Sequence, residues 1–268
     1  MGWEAEEIER AALADLHNAA TAEQIDKLKL RSLSIGAALV SVAPTLPASA
    51  IVINRAIGVG LSEPENRVTV EEILSTYRES GVDRFFIQRH PDARPVQLVD
   101  WLIASGLERA RGWQKFRRGR AGVPDVKTDL RTAEVGLEYA EAFAQIVCDA
   151  FDLGDAAVPW LAQLPGRPNW HVVMSFHGDK PAGAGALFLK DGYGWTDFGA
   201  TAPHYRQRGS QGAVLAERLR LALDAGCREI FTCTGEDVPD DPQHSYRNIL
   251  KLGFEEDYVR ENYAPPRR

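Results

Sequence analysis

Residues 205 to 219, YRQRGSQGAVLAERL, set a basic, glycine-broken loop directly before a stretch of helical periodicity. Leu215, Leu219, Ala222 and Leu223 recur at i, i+4, i+7 and i+8, so the chain from Ser210 reads as an amphipathic helix that stops at Gly226. The first N–H groups of a helix have no partner inside it, and the helix dipole favours negative charge there. Arg206 and Arg208 add positive charge, while Gly209 and Gly212 remove the Cβ atoms that would hold a ligand off the backbone. The junction therefore reads either as an anion site or as an ordinary basic surface loop. It is neither a P-loop, lacking Gly-Lys-Ser/Thr, nor a GxGxxG dinucleotide fingerprint.

Working outward, three strand-like runs precede the loop: WHVVMSFH, AGAGALFL and WTDFGATAP, joined by the tight turns GDKP and KDGYG. Such spacing predicts an antiparallel meander. CREIFTCTG after Gly226 is a further strand, and its helical crossover from the meander makes it a parallel neighbour, so the sheet is mixed. Asp241-Pro242 fits an N-cap and first turn of a last helix that ends at Gly253.

Toward the N-terminus, residues 4 to 20 and 23 to 34 read as helices, 49 to 61 (SAIVINRAIGVGL) as a strand, 68 to 81 as a helix, VDRFFIQRHP as a strand and PVQLVDWLIASG as a helix. The Gly-Val-Pro at 122 to 124 is the best linker, dividing the chain into 1–122 and 126–268. WLIASGLERARGWQKFRR and ILKLGFEEDYVRENY share a helix, glycine, strand layout, a faint internal repeat that two unrelated endings would also produce.

Residues TAPHYRQRGSQGAVLAERL resemble the coenzyme A loop of the GNAT acyltransferase superfamily, whose pattern is Arg/Gln-x-x-Gly-x-Gly/Ala after a strand ending near a proline. Here the pattern runs Arg206, Gln207, Arg208, Gly209, Ser210, Gln211; Gln211 replaces the usual small residue and Gly212 follows it. HSYRNILKLGFEEDY resembles the family's last motif, a short helix ending in Gly-Phe before a strand. The resemblance covers roughly residues 128 to 263. It implies an α+β fold of two GNAT-like domains, each a mixed, mostly antiparallel sheet flanked by helices, with the N-terminal one degenerate because it lacks the arginine-glycine loop.

The same resemblance implies acetyl transfer from acetyl-CoA to an amine by direct attack on the thioester, with main-chain N–H groups around Gly199 to Thr201 orienting the pantetheine arm or polarising the carbonyl. A small-molecule amine is the expected acceptor; a protein amine, or acyl-CoA binding without turnover, are the other readings. Where many members carry a general-acid tyrosine, four residues before the last glycine, this chain has Ile249. Tyr246, one turn earlier, is the candidate acid in its place, Glu236 and Asp197 are candidate bases, and Asn248 and Ser245 candidate coenzyme contacts. Phe151, Trp160 and Trp170 either wall the acceptor pocket or pack in the core.

Composition narrows the class. A net charge of −7 argues against a general nucleic-acid binder. Trp113 and Phe116 interrupt the basic run Arg109, Arg111, Lys115, Arg117, Arg118 and Arg120, which fits the wet face of a strand with aromatics beneath. Cys148, Cys227 and Cys233 form no CxxC pair, which suits reduced thiols and no metal site. The acidic, amphipathic N-terminus has neither a signal pattern nor a membrane-spanning run. A cytoplasmic protein with no membrane or nucleic-acid partner is expected, with a homodimer as its candidate assembly.

Overall fold

A computed structural model describes residues 3–239 and 243–267. Helices α1 (Glu4–Asn18) and α2 (Ala22–Leu28) lead into strands β1 (Arg31–Ile35), β2 (Ala38–Val42) and β3 (Arg55–Ile57). Helix α3 (Arg67–Glu79), strand β4 (Phe86–Arg89), helix α4 (Leu98–Ala104) and strand β5 (Glu108–Arg118) complete the first half. The second half runs β6 (Arg131–Val135), α5 (Ala140–Phe151), α6 (Val158–Leu161), β7 (Trp170–His177), β8 (Lys180–Lys190), β9 (Tyr193–Thr201), α7 (Ser210–Asp224), β10 (Glu229–Gly235), α8 (His244–Lys251) and β11 (Glu255–Ala264). The architecture is α+β, as the sequence predicts.

Two expected elements take another form. The helix expected over 23–34 stops at Leu28, and Arg31–Ile35 is instead the first strand of a hairpin. Lys29 closes α2 in the left-handed region (φ 53°), and Gly36 (φ 54°) makes the turn that sends β2 back along β1. Of residues 49 to 61 only Arg55–Ile57 pair as a strand. The Asp241-Pro242 cap lies outside the described residues.

All eleven strands form one sheet in the order β1-β2-β3-β4-β11-β5-β10-β9-β8-β7-β6. Pairing is antiparallel except for β3 with β4 and β9 with β10, each joined by a helical crossover. The final strands of the two halves are interleaved: β11 lies between β4 and β5, and β5 lies between β11 and β10. The helix, glycine, strand repeat thus pairs with its own counterpart across the middle of the sheet, because β5 and β11 run antiparallel from Glu108↔Ala264 to Arg117↔Glu255.

Three clusters of buried side chains cover the sheet. One runs beneath both halves, joining α1 (Ile8, Leu16) to α5 and α6 (Phe143, Trp160) across Leu39, Trp170 and Trp195. On the other face, α3 and α4 cover the first half through Ile73, Leu74, Tyr77 and Leu102, and α7 and α8 cover the second through Leu215, Leu219 and Ile249. With both faces covered, the wet-face reading of β5 holds for Arg109 and Arg117 and fails for Lys115 and Arg118, which are buried. Arg118 donates to the Leu252, Gly119 and Gly122 carbonyls. Lys115 faces α1 and its carboxylates. Residues 119–128 then run without regular structure to β6, with Val123 and Val126 packed on the α7–α8 cluster.

Candidate active site

Strands β9 and β10 pair in parallel over Glu229↔Tyr193 to Phe231↔Trp195. Thr232 donates its hydroxyl to the Thr196 carbonyl (3.1 Å) just beyond that pairing. Past this point β9 bulges: its register against β8 slips between Ala184↔Ala200 and Ala186↔Asp197, and Phe198 adopts φ 52°. Buried Arg218 of α7 donates from one nitrogen, at 2.9 Å, to both the Asp197 and Ala186 carbonyls, which the bulge leaves available. Asp197 closes the arrangement, accepting the Phe198 N–H (2.8 Å) and the Trp195 indole N–H (3.0 Å).

A cavity of about 360 Å³ lies at this fork. On the α7–α8 face it is lined by Gln211, Leu215, Ser245 and Ile249; on the α1 face by Glu9, Ile51, Arg55, Trp113 and Phe151. The cavity thus reaches both faces of the sheet, and its α1 side is built mainly by the first half of the chain.

Helix α7 opens at this cavity. Its N-cap, Gly209, has φ 80° and makes no side-chain capping bond, so the first N–H groups of the helix receive no side-chain cap. The buried Ser210 hydroxyl is held by Ser175 (2.8 Å) and Thr201 (3.3 Å), which fixes the helix start on β7 and β9. Arg208 pairs with Asp129, Gln207 takes φ 62°, and exposed Arg206 pairs with no other described residue. The glycines have a role the sequence does not announce. A Cβ at Gly209 would stand 2.8 Å from the Lys127 carbonyl, and one at Gly212 would stand 3.2 Å from Val126, so both admit the chain's own 126–128 segment. The side of α7 toward α8 carries Gln211, whose Oε1 accepts from Asn248 Nδ2 (2.8 Å).

No family model matches the chain. It is 31% identical over 85 residues to an uncharacterized N-acetyltransferase of Bacillus subtilis, a match spanning 31% of this chain and 60% of the relative's length. A GCN5-related N-acetyltransferase from Kribbella flavida superposes over 100% of this chain and 97% of its own (TM-score 0.67, 18% identity). One from Sphaerobacter thermophilus covers 91% and 85% (TM-score 0.60, 15% identity). A tandem GNAT protein from the clavulanic acid biosynthesis pathway covers 86% and 79% (TM-score 0.56, 14% identity). The chain has the GNAT fold.

Within this GNAT fold the sequence-selected residues divide. Asp197, Gly199 and Gln211 line the cavity, and Thr201, Ser210 and Asn248 support it from behind. Tyr246 is turned away: its hydroxyl donates to Glu256, its ring sits edge-on to Phe116 (5.0 Å), and burial, with Glu256 beside it, pushes its pKa up to about 12. Glu236 directly follows β10 and is tied to β5 through its backbone, its N–H bonded to the Gly112 carbonyl (2.9 Å) and its own carbonyl accepting from Arg111 (2.8 Å). Of the aromatic candidates, Phe151 lines the cavity, whereas the indoles of Trp160 and Trp170 are fixed in the core by the Leu16 carbonyl and Asp15.

The cavity also gathers residues that no local motif marks. Glu9 accepts four bonds: Arg55 and Arg260 (3.0 Å) on Oε1, and Lys115 (2.5 Å) and Arg260 (2.5 Å) on Oε2. These cations hold its carboxyl well below the ordinary range against the opposing pull of burial. Cys233 also lines the cavity, and burial pushes its thiol up to about 12. Thr234 and Ser245 share a hydrogen bond between β10 and α8. The only early sign of the cluster is the pair Glu6 and Glu9 on a helix that otherwise faces the core.

Proposed function

We propose that this protein is an acetyl-CoA-dependent N-acetyltransferase that acts on a small-molecule amine. The observation that carries the reading is a cavity at the β9–β10 fork with an uncapped helix start on one side and a closed wall from the other half of the chain on the opposite side. The names of the Bacillus subtilis relative and of the Kribbella and Sphaerobacter structures, N-acetyltransferases all, support it.

In this reading acetyl-CoA lies on the α7–α8 face. Its phosphates meet the N–H groups at the start of α7, with Arg206 and Gln211 beside them. Its acyl end enters the fork beside Gly199, where a neutral amine from the α1 side attacks the thioester carbonyl, and the coenzyme thiolate departs. Positioning of this kind supplies several kcal/mol without a covalent intermediate. Cys233 does not intervene, since a thiol titrating near 12 carries almost no thiolate at neutral pH. Glu9 is saturated by cations and Asp197 by two N–H donors, so the amine loses its proton to water. The Thr234–Ser245 hydroxyls supply donors for the departing sulfur.

The N-terminal half, taken as 1–122, serves as the acceptor wall rather than as a second coenzyme domain. Three free cysteines agree with a cytoplasmic setting. Among the described residues no helix is long and apolar enough to cross a membrane. The size of the cavity favours a small acceptor over a protein chain. Release of free thiol from acetyl-CoA across a panel of small amines and peptides tests this: turnover with a small amine supports it, and turnover with peptides alone, or tight binding without turnover, overturns it.

A further inference from the structure

We propose that the acceptor amine also carries a carboxylate, recognised by Arg55, and an apolar body. This deepens the reading above and rests on the α1 side of the cavity being the acceptor compartment.

Arg55 lines the cavity from β3 and is 3% exposed. One of its terminal nitrogens donates to Glu9, while its Nε is buried without a hydrogen-bond partner. Glu9 therefore takes only part of the guanidinium's five-donor fork, and the side chain's place on the cavity wall sets its charge beside a ligand there.

The charge around it points to the same ligand. Arg55, Lys115 and Arg260 face two carboxylates, Glu6 and Glu9. Every oxygen of Glu9 already receives two of these cations, and Glu6 takes Arg260 and the Tyr258 hydroxyl (2.6 Å). Of the other acidic side chains near the cavity, Asp197 interacts with the Arg218 charge at the fork, and the Glu236 carboxylate stands beside Gly112, apart from this cluster. His90, in contact with Tyr258, adds no charge at neutral pH since burial lowers its pKa. One positive charge is therefore uncompensated in a compartment largely closed to water, where a single carboxylate on the ligand balances it. A polycationic acceptor would add to the excess.

The remaining walls are apolar. The Arg55 guanidinium lies over the Trp113 ring at 5.1 Å, and Ile51, Val52 and Phe151 complete the surface. An amine with a carboxylate at Arg55 and an aliphatic or aromatic body against these side chains has the chemistry of an apolar amino acid.

The test compares matched pairs, phenylalanine with phenethylamine and leucine with isopentylamine, by calorimetry on the full chain saturated with coenzyme A, alongside thiol release from acetyl-CoA. The carboxylate member of at least one pair should bind about tenfold more tightly than its partner. Arg55→Gln should abolish that preference while leaving the weaker binding of the plain amine in place, and Arg55→Lys should keep part of it. Equal or tighter binding of the plain amines by the natural protein, a preference that survives Arg55→Gln, or binding by no member of either pair would overturn the proposal. The natural protein's pair ratios decide the matter even if Arg55→Gln fails to fold. A carboxylate preference in calorimetry without thiol release from any amine would sink the transferase reading and leave this one standing.

Discussion

The chain contains the strand, helix, parallel-strand crossover twice, and the two copies begin their helices in opposite ways. In the first half, Asn66 caps α3 by accepting the Thr69 N–H (3.0 Å), and the Glu65 carboxylate before it accepts the Ala37 N–H (3.1 Å). The loop is sewn to residue 94: Arg94 N–H bonds the Gly60 carbonyl (2.7 Å), and the Arg94 carbonyl accepts the Glu65 N–H (2.9 Å). In the second half, α7 starts at Gly209 with no side-chain cap, and its strands part around a cavity. One crossover satisfies its own helix start with a side chain and a carboxylate, and the other has no side-chain cap, which is where the proposed coenzyme would bind. Shared topology therefore does not imply a shared site; the chemistry of a few residues at the helix start decides it.

The halves differ at these starts but are joined beneath the sheet, which makes the largest effect a test of their independence. Glu9 links Arg55 of β3 to Lys115 of β5 and Arg260 of β11. Glu9→Gln leaves three buried cations facing Glu6 alone, and should cost about 3–5 kcal/mol in a single denaturant transition. A loss under about 1 kcal/mol, or two separate transitions, would show the halves to be independent units.

His17 joins the same halves, bonded to Ser41 of β2 (2.7 Å) and tilted against Trp160 (5.3 Å). Burial lowers its pKa to about 4 from an ordinary 6.5, so the unfolded chain takes up the proton first on acidification. The stability this neutral histidine contributes is complete above about pH 6.5 and falls by about 3 kcal/mol as the pH drops toward 4. Thermal melts of the natural chain and His17→Gln across that range check it: the variant's dependence on pH should be flatter by that amount, and parallel curves would contradict the assignment.

At the first crossover, Asn66→Ala should cost about 1 kcal/mol of stability with unchanged acetyl-CoA affinity, since the cap serves only its helix. Weaker coenzyme binding in that variant would place a ligand where none is expected.

Much of the second half was legible because its signals are local: period-two strands between glycine turns, a period change at Ser210, and a helix stop at Gly226. The exchange of β5 and β11 was not, since no pattern within a strand says which partner it takes. The hairpin strand at Arg31–Ile35 is hidden for a related reason, a short strand directly after a helix with only Lys29 and Leu30 to divide them. Gly209 and Gly212 were visible as special, but the 126–128 segment that packs on them comes from 80 or so residues earlier, and distance in sequence hides such a cause. Glu9, Arg55 and Lys115 look like surface charges one at a time; only the sheet, covered on both faces, brings them together.

Titrating acetyl-CoA into the natural protein and into Gln211→Glu tests whether each chain holds one coenzyme site, at the start of α7. That substitution keeps the size of the side chain and suits a helix N-terminus, so the fold should be unaffected, yet it sets a negative charge against the phosphates. The natural chain should bind near one equivalent, and Gln211→Glu should bind about tenfold more weakly or worse. Two equivalents, or one whose affinity is indifferent to Gln211→Glu, would contradict the assignment of the site to α7.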